Sequence, residues 1–425
     1  MAVIDLGELR DEAPPDPPTR PPRAVSRPYR FVVVLLAALA TLAGAAPAPR
    51  RIAATVPGGP AAAAFVVDDR VYVVEAVDPE RGTGRRLVAY RLAADRPRTV
   101  WRTSLPGTGV VDLAWAVHGM LLLIGRTAND AGWEAMALDA ATGRLGWRHP
   151  GVAFPTGDIV LLRASDDDGA QEIRRLDVRT GRTLWSMSTN SAEPHNVWGP
   201  AGVERVVLVH DSGTTEVLDA ASGARLIVRD LRTGEPPRRQ RTVVAAGLLL
   251  VLDDAGGTVT SYDLDRLEQR WSVSLPQADY ASGCGRSLCA YRYPSGMWVL
   301  DPATGATRWT DPRWMASAEA VADGLLLVAE QTLTSPVLAV LEENTGRLVA
   351  ELGKWQVVPR VDGDGPLTGV RLGRNGRLLV AELDPAARQA RIRDALPGAV
   401  GDCRAGATLL VCHRIDGSFV LLRNP

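Results

Sequence analysis

Leu138-Asp-Ala-Ala-Thr-Gly-Arg-Leu-Gly-Trp147 is a phrase that returns, with changes, through most of this 425-residue chain. Leu176-Asp-Val-Arg-Thr-Gly-Arg-Thr-Leu-Trp185 and Leu300-Asp-Pro-Ala-Thr-Gly-Ala-Thr-Arg-Trp309 keep its leucine, aspartate, glycine and tryptophan in register. Weaker copies bring the starts to 92, 138, 176, 218, 262, 300, 341 and 383, with steps of 46, 38, 42, 44, 38, 41 and 42. A period near 40 in a strand-rich chain is the mark of a β-propeller, one copy per blade. Eight copies predict an all-β ring of eight four-stranded blades, with seven as the alternative.

The phrase has a physical logic. Leu138 closes an alternating run, as a half-buried strand does. Asp139, Asp177, Asp219 and Asp301 are placed to accept hydrogen bonds from the turn backbone, with the following Thr or Ser as a weaker partner. Gly143, Gly181, Gly223 and Gly305 can take positive φ without steric cost. The next strand carries Trp101, Trp147, Trp185, Trp271 or Trp309, flat side chains suited to packing between blades. The glycine is missing from the first, fifth and last copies, which predicts turns of another type there. In a typical repeat, Asp112 to Val117 and Met120 to Ile124 read as the first two strands. The C-terminal strands, Thr408 to His413 and Ser418 to Arg423, are expected to pair with the N-terminal blade and close the ring.

The phrase resembles the tryptophan-bearing repeat of the quinoprotein (pyrroloquinoline quinone) dehydrogenases and of their non-enzymatic propeller relatives. The outer-membrane assembly lipoprotein of Gram-negative bacteria is among those relatives. The resemblance covers roughly residues 60–425. It implies either a non-catalytic scaffold or, as the alternative, a dehydrogenase that uses pyrroloquinoline quinone with calcium. For the dehydrogenases it further implies a tryptophan floor, a catalytic aspartate and a disulfide between adjacent cysteines. This chain has no adjacent cysteine pair, and no motif places the aspartate or the calcium ligands. No cofactor is therefore expected on the scaffold reading.

The N-terminus differs in composition. Residues 1–30 are rich in Pro, Arg and acids and cannot bury a core. Phe31 to Ala46 is free of charge and, running on to Ala48, approaches the length that spans a bilayer. Arg20, Arg23, Arg27 and Arg30 precede it, which predicts a cytoplasmic N-terminus and an extracytoplasmic propeller. The expected plan is a disordered leader at 1–30, a transmembrane signal anchor at 31–48, a linker at 49–59 and the propeller at 60–425. The alternative is secretion after cleavage at one of the small-residue sites near Ala45 or Ala48.

Four cysteines fit an oxidising compartment. Cys284 and Cys289, and Cys403 and Cys412, each span the junction between the first two strands of a blade, so two structural disulfides are predicted. No metal site is predicted, because the spacing is not that of a zinc centre and no histidine pair accompanies it. His118, His149, His195, His210 and His413 are scattered and read as turn or surface residues. Asp166 to Asp168 reads as a solvated loop. The formal net charge of −1 gives no nucleic-acid footprint, and the small basic run Arg238, Arg239 and Arg241 reads as another solvated loop. Trp198, Trp298, Trp314 and Trp355 lie outside the phrase and are candidates to line a binding face. The function expected is a membrane-anchored scaffold holding an envelope protein or ligand on its loops.

Overall fold

The computed structural model describes residues 53–423, apart from 79–82, 166–170, 232–239, 333–335, 361–366 and some isolated loop positions. The leader and the apolar run, 1–30 and 31–48, lie outside the described residues. Among the described residues no helix is long and apolar enough to cross a membrane.

The strands assemble into nine antiparallel sheets of four strands. Blades 1 to 8 cover 63–105, 108–150, 152–188, 192–230, 240–274, 280–311, 315–354 and 356–397, each built from four consecutive strands. The ninth is composite. Ala399–Ala405, Leu409–Arg414 and Phe419–Arg423 provide three strands, and Ala53–Val56 pairs with Phe419–Arg423 as the fourth. The expected count of eight is corrected to nine. The C-terminal strands do not extend the first blade; with the N-terminal strand they form a blade of their own. Four residues of the expected linker are thus the outer strand of blade 9.

The reason is simple. The phrase marks the hairpin between the third and fourth strands of a blade. In blade 9 that hairpin is divided between the two ends of the chain, so the blade carries no copy.

Nine hydrophobic clusters lie one at each blade–blade interface. Blade 9 shares one with blade 8, through Val370, Val380, Cys412 and Leu422. It shares another with blade 1, through Val56, Leu421, Val66 and Val73. The ring is therefore closed and has no free interface. Second strands are covered on both faces, and their sequence shows it: Met120 to Ile124 and Leu249 to Leu252 are unbroken apolar runs, all buried. Fourth strands lie at the rim and are largely exposed, as in Arg225–Asp230, where Ile227 alone is half-buried.

Strand direction sorts the connections onto two faces. Turns between first and second strands, and between third and fourth, lie on one face, hereafter the turn face. Connections between second and third strands, and from blade to blade, lie on the other, the loop face. Connection length varies on both faces: on the turn face residues 358–366 join the first two strands of blade 8. Blades 2 and 3 are joined by Gly151 alone, whereas residues 231–239 separate blades 4 and 5.

Both predicted disulfides form, Cys284–Cys289 in blade 6 and Cys403–Cys412 in blade 9. Cys403 and Cys412 are direct register partners with Cα atoms 4.1 Å apart. Cys284 is register partner to Ser287, so its bridge runs diagonally, with Cα atoms 5.8 Å apart. Each closes a short loop, worth about 2–3 kcal/mol by the chain-entropy account.

Candidate functional site

The residues of the repeated phrase converge on the turn face, where they join one blade to the next. Each tryptophan docks on the turn of the following repeat. Trp147 Nε1 donates to Val178 O at 2.7 Å, and a Cβ at Gly181 would lie 2.4 Å from Trp147 Cγ. Trp101 meets Ala140 and Gly143, Trp185 meets Ala220 and Gly223, Trp271 meets Pro302 and Gly305, and Trp309 meets Glu343 and Gly346 in the same way. Only a glycine allows this approach.

The missing glycines follow the same rule. The fourth and seventh copies end in Ile227 and Ala350 instead of tryptophan, and the fifth and eighth carry Leu267 and Arg388 in place of glycine. No copy precedes the first. The predicted change of turn type is corrected for the fifth copy. Leu267 keeps φ at 53° and its N–H donates to Asp263 O at 3.0 Å, as Gly143 does to Asp139 O at 2.8 Å. Arg388 also keeps positive φ, but bonds Pro385 O instead. The first copy does change: a two-residue connection joins Thr83–Ala93 to Arg96–Leu105.

The aspartates hold the turns. Asp177 Oδ1 accepts from Thr180 N at 2.8 Å and from Thr180 Oγ1 at 2.7 Å. Asp139 and Asp219 do the same with Thr142 and Ser222. Asp301 bonds Thr304 and also Arg308. The hydroxyl bond is the largest cause holding Asp139, Asp177 and Asp219 below the usual carboxylate range; for Asp301 it is the Arg308 bond.

A depressed folded-state value means stability that is present above the unfolded pKa, near 3.9, and lost as pH falls through the folded value. Asp177→Ala is therefore expected to lower the urea midpoint at pH 6, and the gap to wild type is expected to narrow as pH falls below about 4. A gap that stays constant from pH 6 to pH 2.5 would contradict this.

These residues are structural. The candidate recognition features lie on the opposite, loop face. A cleft of about 760 Å³ opens there where blades 2, 3 and 4 meet. That size is in the range of small-ligand sites. Trp133, on the third strand of blade 2, and Phe154, on the first strand of blade 3, form its aromatic surfaces. Each has an arginine stacked on it: Arg126 lies 4.8 Å from the Trp133 ring and Arg163 lies 4.9 Å from Phe154. Asn129, Gln171 and Thr189 add polar groups. Glu172 also lines the cleft, but Arg174 holds it at 2.7 Å and keeps its carboxyl below the usual range.

Arg163 reaches across to blade 4, where its Nη2 donates to Asn196 Oδ1 at 3.4 Å. Burial pushes its pKa down from the usual guanidinium value, against the pull of Glu193. His195, beside Asn196, shares a hydrogen bond with Thr242 of blade 5 at 2.7 Å. Burial keeps this histidine's pKa below its usual value, with Glu193 opposing.

His118 is in a turn, with φ 48°. His149, His195, His210 and His413 lie on strands and are half-buried. Trp314 and Trp355 are core residues, each 2% exposed, and Trp298 is half-buried. Trp198 is 59% exposed, but it sits on the turn face at the end of the first strand of blade 4. Asp166 to Asp168, Arg238 and Arg239 lie outside the described residues. Arg241 pairs with Asp279 at 3.3 Å.

The two bridges use all four cysteines within blades 6 and 9. Among the described residues, no three His, Cys, Asp or Glu side chains gather as the ligands of a cation would.

Fold and site together define a closed nine-bladed β-propeller with a structural turn face and a loop face that carries a cleft. The sequence profile of the outer membrane protein assembly factor BamB family matches residues 84–236 and 169–299, and the chain belongs to that family of PQQ-like propellers. Among solved structures, the computationally designed Ika8 protein is 16% identical at TM-score 0.51, over 76% of this chain and 99% of its own. BamB from Moraxella catarrhalis is 14% identical at TM-score 0.45, over 87% of this chain and 96% of its own. A europium-containing methanol dehydrogenase is 11% identical at TM-score 0.43, over 77% of this chain and 84% of its own. The likeness to Ika8 supports the fold alone. The comparison with curated proteins finds no match.

Proposed function

We propose that the chain is a membrane-anchored, extracytoplasmic scaffold whose loop face holds a partner protein. On this reading residues 31–48 cross the membrane, residues 1–30 are cytoplasmic and the propeller is outside the cytoplasm. The two disulfides support an oxidising compartment. Membership of a family described as an assembly factor supports a binding role.

The observation that carries the proposal is the contrast between the faces. The turns between third and fourth strands on the turn face repeat one design that ties blade to blade, although residues 358–366 form a long connection on that face in blade 8. The loop face varies from blade to blade and exposes large apolar side chains on several blades. Val77 on blade 1, Tyr293 on blade 6, Leu372 on blade 8 and Ile415 on blade 9 are 53%, 81%, 68% and 79% exposed. A surface that varies on a rigid ring is where propellers place recognition.

The test is photo-crosslinking in intact membranes, with a photoreactive residue at Leu372, Tyr293 or Ile415, or at the rim residue Leu226. Loop-face positions are expected to give a discrete adduct with one protein, and Leu226 none. Equal labelling from both surfaces, or none from the loop face, would contradict the proposal. Saturable quenching of tryptophan fluorescence by pyrroloquinoline quinone with calcium would replace it with the dehydrogenase alternative.

A further inference from the structure

Within the loop face, the surroundings of Arg163 are unusual. Of the carboxylates near this cleft, Glu172 is taken by Arg174 and Glu134 by Arg148, while Glu193, which acts on Arg163 only at longer range, accepts from Thr242 and lies 3.8 Å from His195. Arg163 is half-buried and makes no ion pair among the described residues. Among the described residues its contacts are the Phe154 ring and one long bond, at 3.4 Å, to the neutral side chain of Asn196. A guanidinium partly withdrawn from water with no described carboxylate in ion-pair reach is costly, and its planar fork of donors matches a carboxylate. It lines the same cleft as Trp133 and Phe154, which offer flat apolar surface to whatever carries that carboxylate.

We infer that the cleft between blades 2 and 3 is a binding site for a carboxylate carried next to a flat apolar group, with Arg163 as its anion-binding residue. The same chemistry is found in a free aryl acid and in the C-terminal residue of a peptide. Asn129, Gln171 and Thr189, along the cleft wall, are placed to meet the amide groups of a peptide but have no such partner in a free acid. This inference deepens the scaffold proposal and rests on the loop face being the recognition surface.

The experiment is calorimetric titration of the full chain in detergent with three probes: 3-phenylpropionate, N-acetyl-Gly-Phe with a free carboxylate, and its C-terminal amide. N-acetyl-Gly-Phe is expected to bind saturably, and the amide at least ten-fold more weakly. If 3-phenylpropionate equals the peptide, the ligand is a free acid; if the peptide binds more tightly, the ligand is a chain end.

Two variants act through Arg163 in opposite ways. Arg163→Met keeps an apolar stem over Phe154, removes the charge, and is expected to lose ten-fold or more of the acid affinity. Asn196→Asp supplies an internal counter-charge. It is expected to lose the same affinity while raising the melting temperature. Equal binding of acid and amide, no binding of any acid, or unchanged affinity in both variants would overturn the inference. Photo-crosslinking separates this failure from that of the parent proposal. Loop-face adducts formed by a chain that binds no acid leave the scaffold standing; loss of those adducts removes the scaffold itself.

Discussion

Gly181→Val is expected to destabilise the propeller by about 3–5 kcal/mol, read as a fall in the urea midpoint. Two costs combine. Gly181 has φ of +68°, which a β-branched residue adopts only with strain. Its first side-chain carbon would also fall 2.4 Å from Trp147 Cγ and 2.6 Å from Trp147 Cβ. Trp147 is 7% exposed and bonded to Val178 O, so it has nowhere nearby to go.

Trp147→Ala is expected to cost a similar amount, by loss of burial and a cavity. The double variant is expected to cost clearly less than the sum, because removing the indole makes room for the valine. Strict additivity would contradict the docking account. Blade 5 gives the reciprocal case. Ile227→Trp is expected to destabilise while Leu267 occupies the turn, and Leu267→Gly to restore much of the loss.

Removal of the outer strand of blade 9 is the second large effect. A chain starting at residue 58 lacks Ala53–Val56. Val56 is fully buried and Ala54 is 5% exposed, both in the cluster that joins blades 9 and 1. Burial of one valine is worth about 1.5–3 kcal/mol. The larger consequence is that Phe419–Arg423 becomes an open edge beside an exposed apolar interface, which invites pairing with other molecules. Residues 52–425 are expected to remain monomeric with one cooperative unfolding transition. Residues 58–425 are expected to melt at least several degrees lower and to aggregate. Identical melting of the two would show that the strand closes nothing.

Much of this was readable from residue spacing. The propeller, the turn chemistry of Asp139, the two disulfides and the interblade place of the tryptophans all follow from positions close together in the chain. The ninth blade does not, because its hairpin is shared between residues 53–56 and 419–423. The reason for the three missing glycines was hidden for a related cause. Each glycine answers a tryptophan in the preceding repeat, about 40 residues upstream, so a copy viewed alone shows only an irregular turn. The cleft left no local signal at all. Trp133, Phe154, Arg163 and Asn196 come from four strands of three blades, and none belongs to the phrase.

The central structural claim is the ring of nine blades closed by the N-terminal strand, since both faces depend on it. A cysteine bridge tests it most directly. Ala54 and Leu421 are register partners in blade 9, so the double variant Ala54→Cys with Leu421→Cys is expected to form an intramolecular disulfide. Peptide mapping under non-reducing conditions would then find the N-terminal strand linked to the C-terminal strand in a monomer, with both native bridges intact. Both new thiols free in the oxidised protein, or a link only between molecules, would contradict the closed nine-bladed ring.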